Sequence, residues 1–417
     1  MQGLAVPAPM AVMFISSAEH PGADTLVHTL IMRNLDRARF HVHAAASPGD
    51  PADGSADGFR LLAGIPHVQL RSANFGPSLS GRTALGKLQQ LMTGGTAMAA
   101  SLLSLANYIR RHRISVLHAT DRPRDAAACA ILGKLTGAKS IIHAHLKCDD
   151  WMSDALRRSM HHVDALIAIS DFVAGSLADR GYAREKTYTV LNGIDLARWD
   201  FRLTGLPIRQ EFGIPATAPV IACAGRLFEG KGQGHLVRAV AALRPEFPDI
   251  RLLVIGKDDR QVMQESFTEQ LKALAATLGV GDNVVFAGQR ADMPALLAAS
   301  DVFALPSDEE PFGLVFAEAM AMKRPVIALA NGGTPEVVEH GRDGLLSGPN
   351  DLEALTANLR TLLREPTLRR RMGEHGRQRV EARFTAQRMA LETGRVYVSL
   401  AQPPKSKVVA LGEQVTR

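Results

Sequence analysis

The densest chemistry in the chain lies between Cys223 and Gly232, which reads Cys-Ala-Gly-Arg-Leu-Phe-Glu-Gly-Lys-Gly. Gly225, Gly230, Gly232 and Gly234 let backbone come close to a ligand, and Arg226 and Lys231 aim two cations at one place. A helix starting near His235 adds the partial positive charge of its N-terminus. Together these groups suit a diphosphate. The spacing nearly matches a P-loop, with Gly225 followed after four residues by Gly230-Lys231. However, Gly232 stands where a hydroxyl residue should hold Mg²⁺, which argues against an ATPase. The plain alternative is glycines for tight turns and cations in water.

Two further stretches have the same look. Leu305 to Met320 runs from a strand through an acidic loop into a helix beginning near Gly313. Its Glu310 and Glu318 are eight residues apart. On an ideal helix that separation is about 12 Å of rise and roughly 80° of rotation. They therefore do not act as one carboxylate pair, but they can contact separate hydroxyls of one extended ligand. The alternative is an acid complementing the helix dipole at Glu310 and a solvated face at Glu318. In the third stretch, Ala330 to Val338, Gly332-Gly333 precedes a Thr expected to cap a helix. Free N–H groups there form another anion or polyol site, or simply a strand-to-helix turn.

Short apolar runs must position these turns. Ala11–Ser16, His41–Ala45, Val68–Leu70, Ser115–Ala119, Ser140–His145, Ala165–Ser170 and Tyr188–Leu191 read as one series of strands. Val220–Ala224, Arg251–Ile255, Val284–Ala287, Val302–Leu305 and Pro325–Ala328 read as a second. Helical patterns separate them, which predicts an α/β chain with two doubly wound parallel sheets and a break near Asn192–Leu206. The three ligand-competent turns then lie at the carboxyl edge of the second sheet, where open α/β sheets bind ligands. Asp351–Leu400 reads as helix, with Phe384 and Met389 predicted to staple a start capped by Thr385. The residues from 401 onward read as a frayed tail.

Composition narrows the class. The 417 residues are 46% hydrophobic and 22% charged, ordinary for globular domains. Cys129, Cys148 and Cys223 are odd in number and far apart, with no CxxC, so neither a disulfide framework nor a zinc cage is expected and a reducing cytosol fits. Met1–Ser17 has no basic residue and carries Pro7 and Pro9, so it leads into a strand rather than acting as a signal peptide. The longest uncharged run, between Lys87 and Arg110, is too polar to span a membrane. The net charge of +6 is spread out, unlike that of most nucleic-acid binders. One stretch differs. From Gly58 to Thr120 there are seven basic residues (Arg60, Arg71, Arg82, Lys87, Arg110, Arg111, Arg113) and no acid. With Leu85, Leu88, Leu91 and Met92 among them, this suits peripheral contact with an anionic membrane or a phosphorylated lipid-linked glycan. A Rossmann helix displaying solvated arginines explains it equally simply.

Residues alone lead to a nucleotide-diphosphate ligand with polyol contacts. At these same residues the chain resembles glycosyltransferase family 4, retaining enzymes of GT-B architecture. The resemblance rests on Gly225-Arg226-Leu227 with Lys231-Gly232, on Glu310 and Glu318 around Pro311-Phe312-Gly313, and on Gly332-Gly333 with Glu336. In the first half it rests on Ile141–His145, Asp164–Phe172 and Val190–Asp195. It implies two Rossmann-like domains facing across a cleft. Residues 10–200, completed by a helix at about 386–400, form the acceptor side, and residues 206–385 bind the nucleotide sugar. By resemblance, Arg226 and Lys231 neutralise the leaving diphosphate, Glu310 binds the donor sugar, Glu318 binds ribose, and His145 is the active-site histidine. Gly22, Gly225, Phe312, Gly313, Leu314 and Arg290 complete the donor contacts. As an isolated residue, His145 reads more simply as a satisfied core histidine.

Two positions depart from the family. His20-Pro21-Gly22-Ala23 stands where a Gly-Gly turn is usual, and Lys323 where Gly is common. A left-handed cap costs a non-glycine residue roughly 1 kcal/mol, so a reshaped turn is expected at Lys323. No DxD occurs, so no metal and no cofactor are expected beyond a UDP- or GDP-linked hexose donor and a glycan or lipid-linked acceptor. The expected reaction is retaining sugar transfer in envelope or polysaccharide synthesis, in the cytoplasm or at the inner face of the membrane. A nucleotide-sugar epimerase of the same fold is the nearest alternative. A dinucleotide oxidoreductase is remote, because Ser16–Gly22 lacks Gly-x-Gly-x-x-Gly.

Overall fold

In the computed structural model the structure describes residues 8–49, 56–76, 84–259 and 265–401. The first sheet holds β1 (Met10–Ser16), β2 (Phe40–Ala46), β3 (Gln69–Ser72), β4 (Ile114–Thr120), β5 (Lys139–Ala144), β6 (Ala165–Ala168) and β7 (Thr187–Thr189). They lie in the order 3-2-1-4-5-6-7. The second holds β8 (Val220–Ala224), β9 (Arg251–Ile255), β10 (Val284–Gly288), β11 (Val302–Leu305), β12 (Val326–Leu329) and β13 (Gly344–Ser347), in the order 10-9-8-11-12-13. All ladders are parallel. Buried on both faces, the central strands are continuously apolar, as in Val-Ile-Ala-Cys-Ala of β8. Strand order reverses between β1 and β4 and between β8 and β11, so each sheet has one switch point where a crevice opens.

Three local outcomes differ from the sequence expectations. β13 was not expected, because Gly-Leu-Leu-Ser is four residues long and shows neither alternation nor β-branching. Lys323 keeps the left-handed turn, at φ +56°, rather than reshaping it. Its ammonium sits 4.1 Å from the centre of the Phe201 ring, a cation–π contact that offsets the backbone strain. Finally, Thr385 does cap the last helix (Ala386–Ala401), accepting from the Arg388 amide at 3.1 Å, but Phe384 and Met389 do not staple it. Phe384 packs in the core shared with the second sheet, and Met389 packs with Val396 and Tyr397 under the first.

The acid-free stretch is mostly ordinary packing. The helix Ala84–Arg111 buries Leu102, Leu105, Ala106 and Ile109 against the first sheet. Arg60 pairs with Asp57, Arg71 lies over the Tyr108 ring, and Arg110 donates to the Leu135 carbonyl. Arg82 and the side chains of Lys87, Leu85, Leu88, Leu91 and Met92 lie outside the described residues, as does the tail from residue 402. No described helix is long and apolar enough to cross a membrane.

Candidate active site

The switch point of the second sheet is built from three turns pressed together. After β8 the chain passes through Gly225 into a 3-10 turn (Glu229–Lys231) and the helix Gln233–Leu243. Between them Gly232 is left-handed at φ +72°, and a Cβ there would lie 2.1 Å from the Pro306 carbonyl. Glycine is required because the turn after β11 packs against it. The Asp308 amide donates to the Gly230 carbonyl at 2.9 Å and fixes that contact. On the other side, Gly332 at φ +56° leaves only 2.6 Å between its absent Cβ and the Glu310 carbonyl. Glu310 is thus held from both sides.

This arrangement brings Lys231 and Glu310 into an ion pair, with each side chain 15% exposed. Arg226 is 62% exposed and hydrogen-bonds Asp259 at 2.5 Å. The Phe228 ring lies beneath both cations, 5.5 Å from Arg226 and 6.0 Å from Lys231. Buried Gln233 donates to the Arg226 carbonyl at 3.0 Å and fixes the loop. Phe312 is buried against Phe384, and Gly313 caps the helix Leu314–Ala321, whose first N–H groups lack intrahelical partners. Glu318 lies within that helix, half-buried. Burial pushes its carboxyl up to about 7, against the opposing pull of Arg198.

Glu336 behaves differently from the polyol site suggested by Gly332-Gly333. The helix Thr334–Val337 is a single turn capped by Gly333, so Thr334 is its first residue rather than its cap. The Glu336 carboxylate instead crosses to the first domain. It accepts from the amides of Asp171 and Phe172 at 2.7 and 2.8 Å, at the start of the helix Asp171–Asp179. Ser170 donates to the Pro311 carbonyl at 2.7 Å, and Lys147 pairs with Glu309 at 2.7 Å, giving three polar ties between domains beside the cleft.

On the first sheet, His145 follows β5, and its amide donates to Asp121 at 2.8 Å. Its Nε2 is sealed and unpartnered. Burial lowers this imidazole to about 4, with Asp24 opposing and Arg122 reinforcing the shift. Asp121 is raised to about 7 by burial, with the His145 amide opposing and the Asp24 charge reinforcing. Gly22 caps the helix Ala23–Asn34 in extended geometry, where a Cβ would meet Asp24 Oδ1 at 2.6 Å. Asp24 in turn binds Arg122 through both oxygens, at 2.5 and 2.9 Å. Arg290 is engaged by Glu211 and Asp292, which raise its pKa further.

Residues 22–198 match the family described as Glycosyltransferase Family 4, and residues 207–379 match Glycosyl transferases group 1. A GDP-mannose-dependent alpha-(1-6)-phosphatidylinositol monomannoside mannosyltransferase of Mycolicibacterium smegmatis is 31% identical over 274 residues, 60% of this chain and 69% of that one. The chain belongs to glycosyltransferase family 4. A glycogen synthase from Mycobacterium tuberculosis is 28% identical over 312 residues, 72% of this chain but just under two thirds, 66%, of its own length. The Anabaena HepE structure in complex with UDP superposes with a TM-score of 0.77 at 22% identity, covering 94% of this chain and 100% of that one. The fold is therefore GT-B.

Within this family 4 frame, sequence reasoning named Arg226, Lys231, Glu310, Glu318 and His145. It missed the groups that hold them: Asp259, Asp121 and the Asp24–Arg122 pair. Isolated acids carry no local signature, and only the fold brings residues 24 and 122 together.

Proposed function

We propose that the chain is a retaining hexosyltransferase. It moves a sugar from a UDP- or GDP-linked donor to a glycan or lipid-linked acceptor in envelope or polysaccharide synthesis. The observation that carries this reading is the Lys231–Glu310 pair, set beside Arg226 and a helix N-terminus at the switch point of the second sheet. As the sugar–phosphate bond breaks, negative charge grows on the diphosphate. Arg226, Lys231 and the first N–H groups of the helix Leu314–Ala321 meet it, a preorganised electrostatic device. Glu310, released from Lys231 by the incoming phosphate, binds donor-sugar hydroxyls, and Glu318 binds ribose. His145 faces the sugar from the opposite domain, and Gly22, Gly225 and Arg290 complete the donor contacts.

Protein cations meet the phosphate charge, so transfer runs without a divalent metal. The named relatives support both donor classes, one using GDP-mannose and one binding UDP. Peripheral attachment to the inner, anionic face of a membrane belongs to the same reading, through the basic first domain. The deciding experiment is donor hydrolysis over UDP-, GDP- and ADP-sugars, with the anomer of the released sugar read by NMR. One base should be preferred and the α-anomer retained. No turnover of any donor by folded protein overturns the assignment.

A further inference from the structure

Four histidines meet beneath the cleft on the first domain. They are His28 on the helix Ala23–Asn34, His118 on β4, His143 on β5 and His145 just beyond it. Ring centres lie 4.4 Å apart for His143 and His145, 5.4 Å for His28 and His143, and 5.5 Å for His28 and His145. His118 has both nitrogens engaged, Nδ1 at 2.5 Å from the Tyr397 hydroxyl and Nε2 at 3.3 Å from His143 Nδ1. The other three are not so provided. The Nε2 atoms of His28, His143 and His145 are all sealed from solvent and have no hydrogen-bond partner. One ring nitrogen from each lies within 4.8 Å of the other two. A buried polar atom left without a partner destabilises a fold by about 1–3 kcal/mol, so three such atoms in one cluster imply an occupant.

We propose that His28, His143 and His145 form a three-imidazole site for a borderline divalent transition metal, with zinc as the test ion. Metal–imidazole bonds of about 2.0–2.1 Å place tetrahedral ligand nitrogens roughly 3.3 Å apart. Nitrogens now within 4.8 Å reach that spacing by small ring movements. His143 is already oriented for the task. When its Nδ1–H donates to His118 Nε2, and His118 Nδ1–H donates to Tyr397, the His143 Nε2 lone pair is left free to ligate, with His118 as outer support. The Asp24–Arg122 pair beside them is balanced in charge, and Asp121 adds a nearby carboxyl. An all-imidazole set selects zinc, cobalt, nickel or copper over magnesium and calcium. Three ligands leave a fourth position for water or another small ligand. If His145 faces the donor sugar, as proposed above, a bound metal withdraws it and inhibits transfer. Only this last consequence rests on the transferase reading.

The test uses the full-length protein, stripped with chelator and titrated with cobalt(II) in the absence of substrate. We expect one equivalent to bind with the intense visible absorption of four-coordinate cobalt, displaced by zinc but not by magnesium. His145→Gln and His28→Gln should each weaken binding at least about tenfold, with circular dichroism confirming the fold. Should H28Q fail to fold, H145Q and the wild-type spectrum decide. Only the weak absorption of hydrated cobalt in the wild type, or binding undiminished in a folded variant, overturns the site. Because this readout needs no turnover, a failed donor screen leaves it standing. In active protein, zinc should inhibit the wild type reversibly and spare H28Q.

Discussion

Replacing Glu318 by glutamine should make the protein more stable at pH 8 while weakening its hold on nucleotide. The carboxyl normally titrates at 4.5, and burial in the helix Leu314–Ala321 raises it to about 7. Between those values the folded chain keeps a proton that the unfolded chain has lost. Stability therefore falls as pH rises from 4.5 to about 7 and levels off above, the reverse of the usual carboxylate case. At 1.36 kcal/mol per pH unit the interval corresponds to about 3 kcal/mol, and the side chain's partial access to the cleft makes this an upper bound. Glutamine cannot ionise, so E318Q should lose this component, its unfolding temperature declining less than that of the wild type from pH 5 to pH 8 because Asp121 still contributes. The second arm uses calorimetry with free nucleoside diphosphate in two buffers of different ionisation enthalpy. At pH 7 the wild type should release about half a proton as ribose captures the ionised form, a component absent from E318Q. Affinity should fall by roughly 1.5–3 kcal/mol, the range for a hydrogen bond to a charged group. Parallel pH–stability curves for the two proteins would refute the buried-carboxylate reasoning, and equal nucleotide affinity would reduce Glu318 to a helix-face residue.

Arg226→Ala and Lys231→Ala should each lower kcat at least about a hundredfold, since removing one such donor costs about 2.7–4 kcal/mol in the transition state. Both variants should stay folded, K231A melting lower because it strands Glu310 and R226A losing the Asp259 contact; turnover near wild type in either removes the diphosphate assignment. Transfer should persist in EDTA, and complete loss restored by one divalent ion would contradict a protein-only phosphate clamp. Lys323→Gly should change stability by less than about 0.5 kcal/mol by chemical denaturation, because relief of the left-handed backbone offsets loss of the Phe201 contact. Co-sedimentation should occur with anionic but not zwitterionic vesicles and be reversed by 0.5 M salt, roughly a 4–5 Å screening length; equal negligible binding to both assigns the arginines to solvent.

Periodicity made most of the architecture legible. Twelve residues from Val220 to Lys231 show why: an unbroken apolar strand followed by glycines and cations announces both element and edge. β13 was not legible, because four residues without alternation look like loop. The Phe384–Met389 staple failed for a related reason. Local spacing predicted that the two side chains meet, but each found a larger core on a different domain. Glu336 shows the limit more sharply, since its position after Gly332-Gly333 fits a ligand site and only the fold reveals its partners at Asp171 and Phe172. The histidine cluster left one trace, His143-Ala-His145, whose alternate spacing at the end of a strand puts the two rings on the same side. His28, more than a hundred residues earlier, left none.

The last helix has a consequence for how the chain is made. Met389, Val396 and Tyr397 complete the apolar interior beneath the first sheet, and Tyr397 also hydrogen-bonds His118 on β4. The first sheet ends at Thr189, so its interior waits for roughly 200 further residues, about 10–40 s of synthesis at 5–20 residues per second. During that interval the second sheet can close while the face beneath β1 and β4 stays open to water and chaperones. Emergence order therefore runs opposite to completion order: the sheet made first is the one whose interior is covered last.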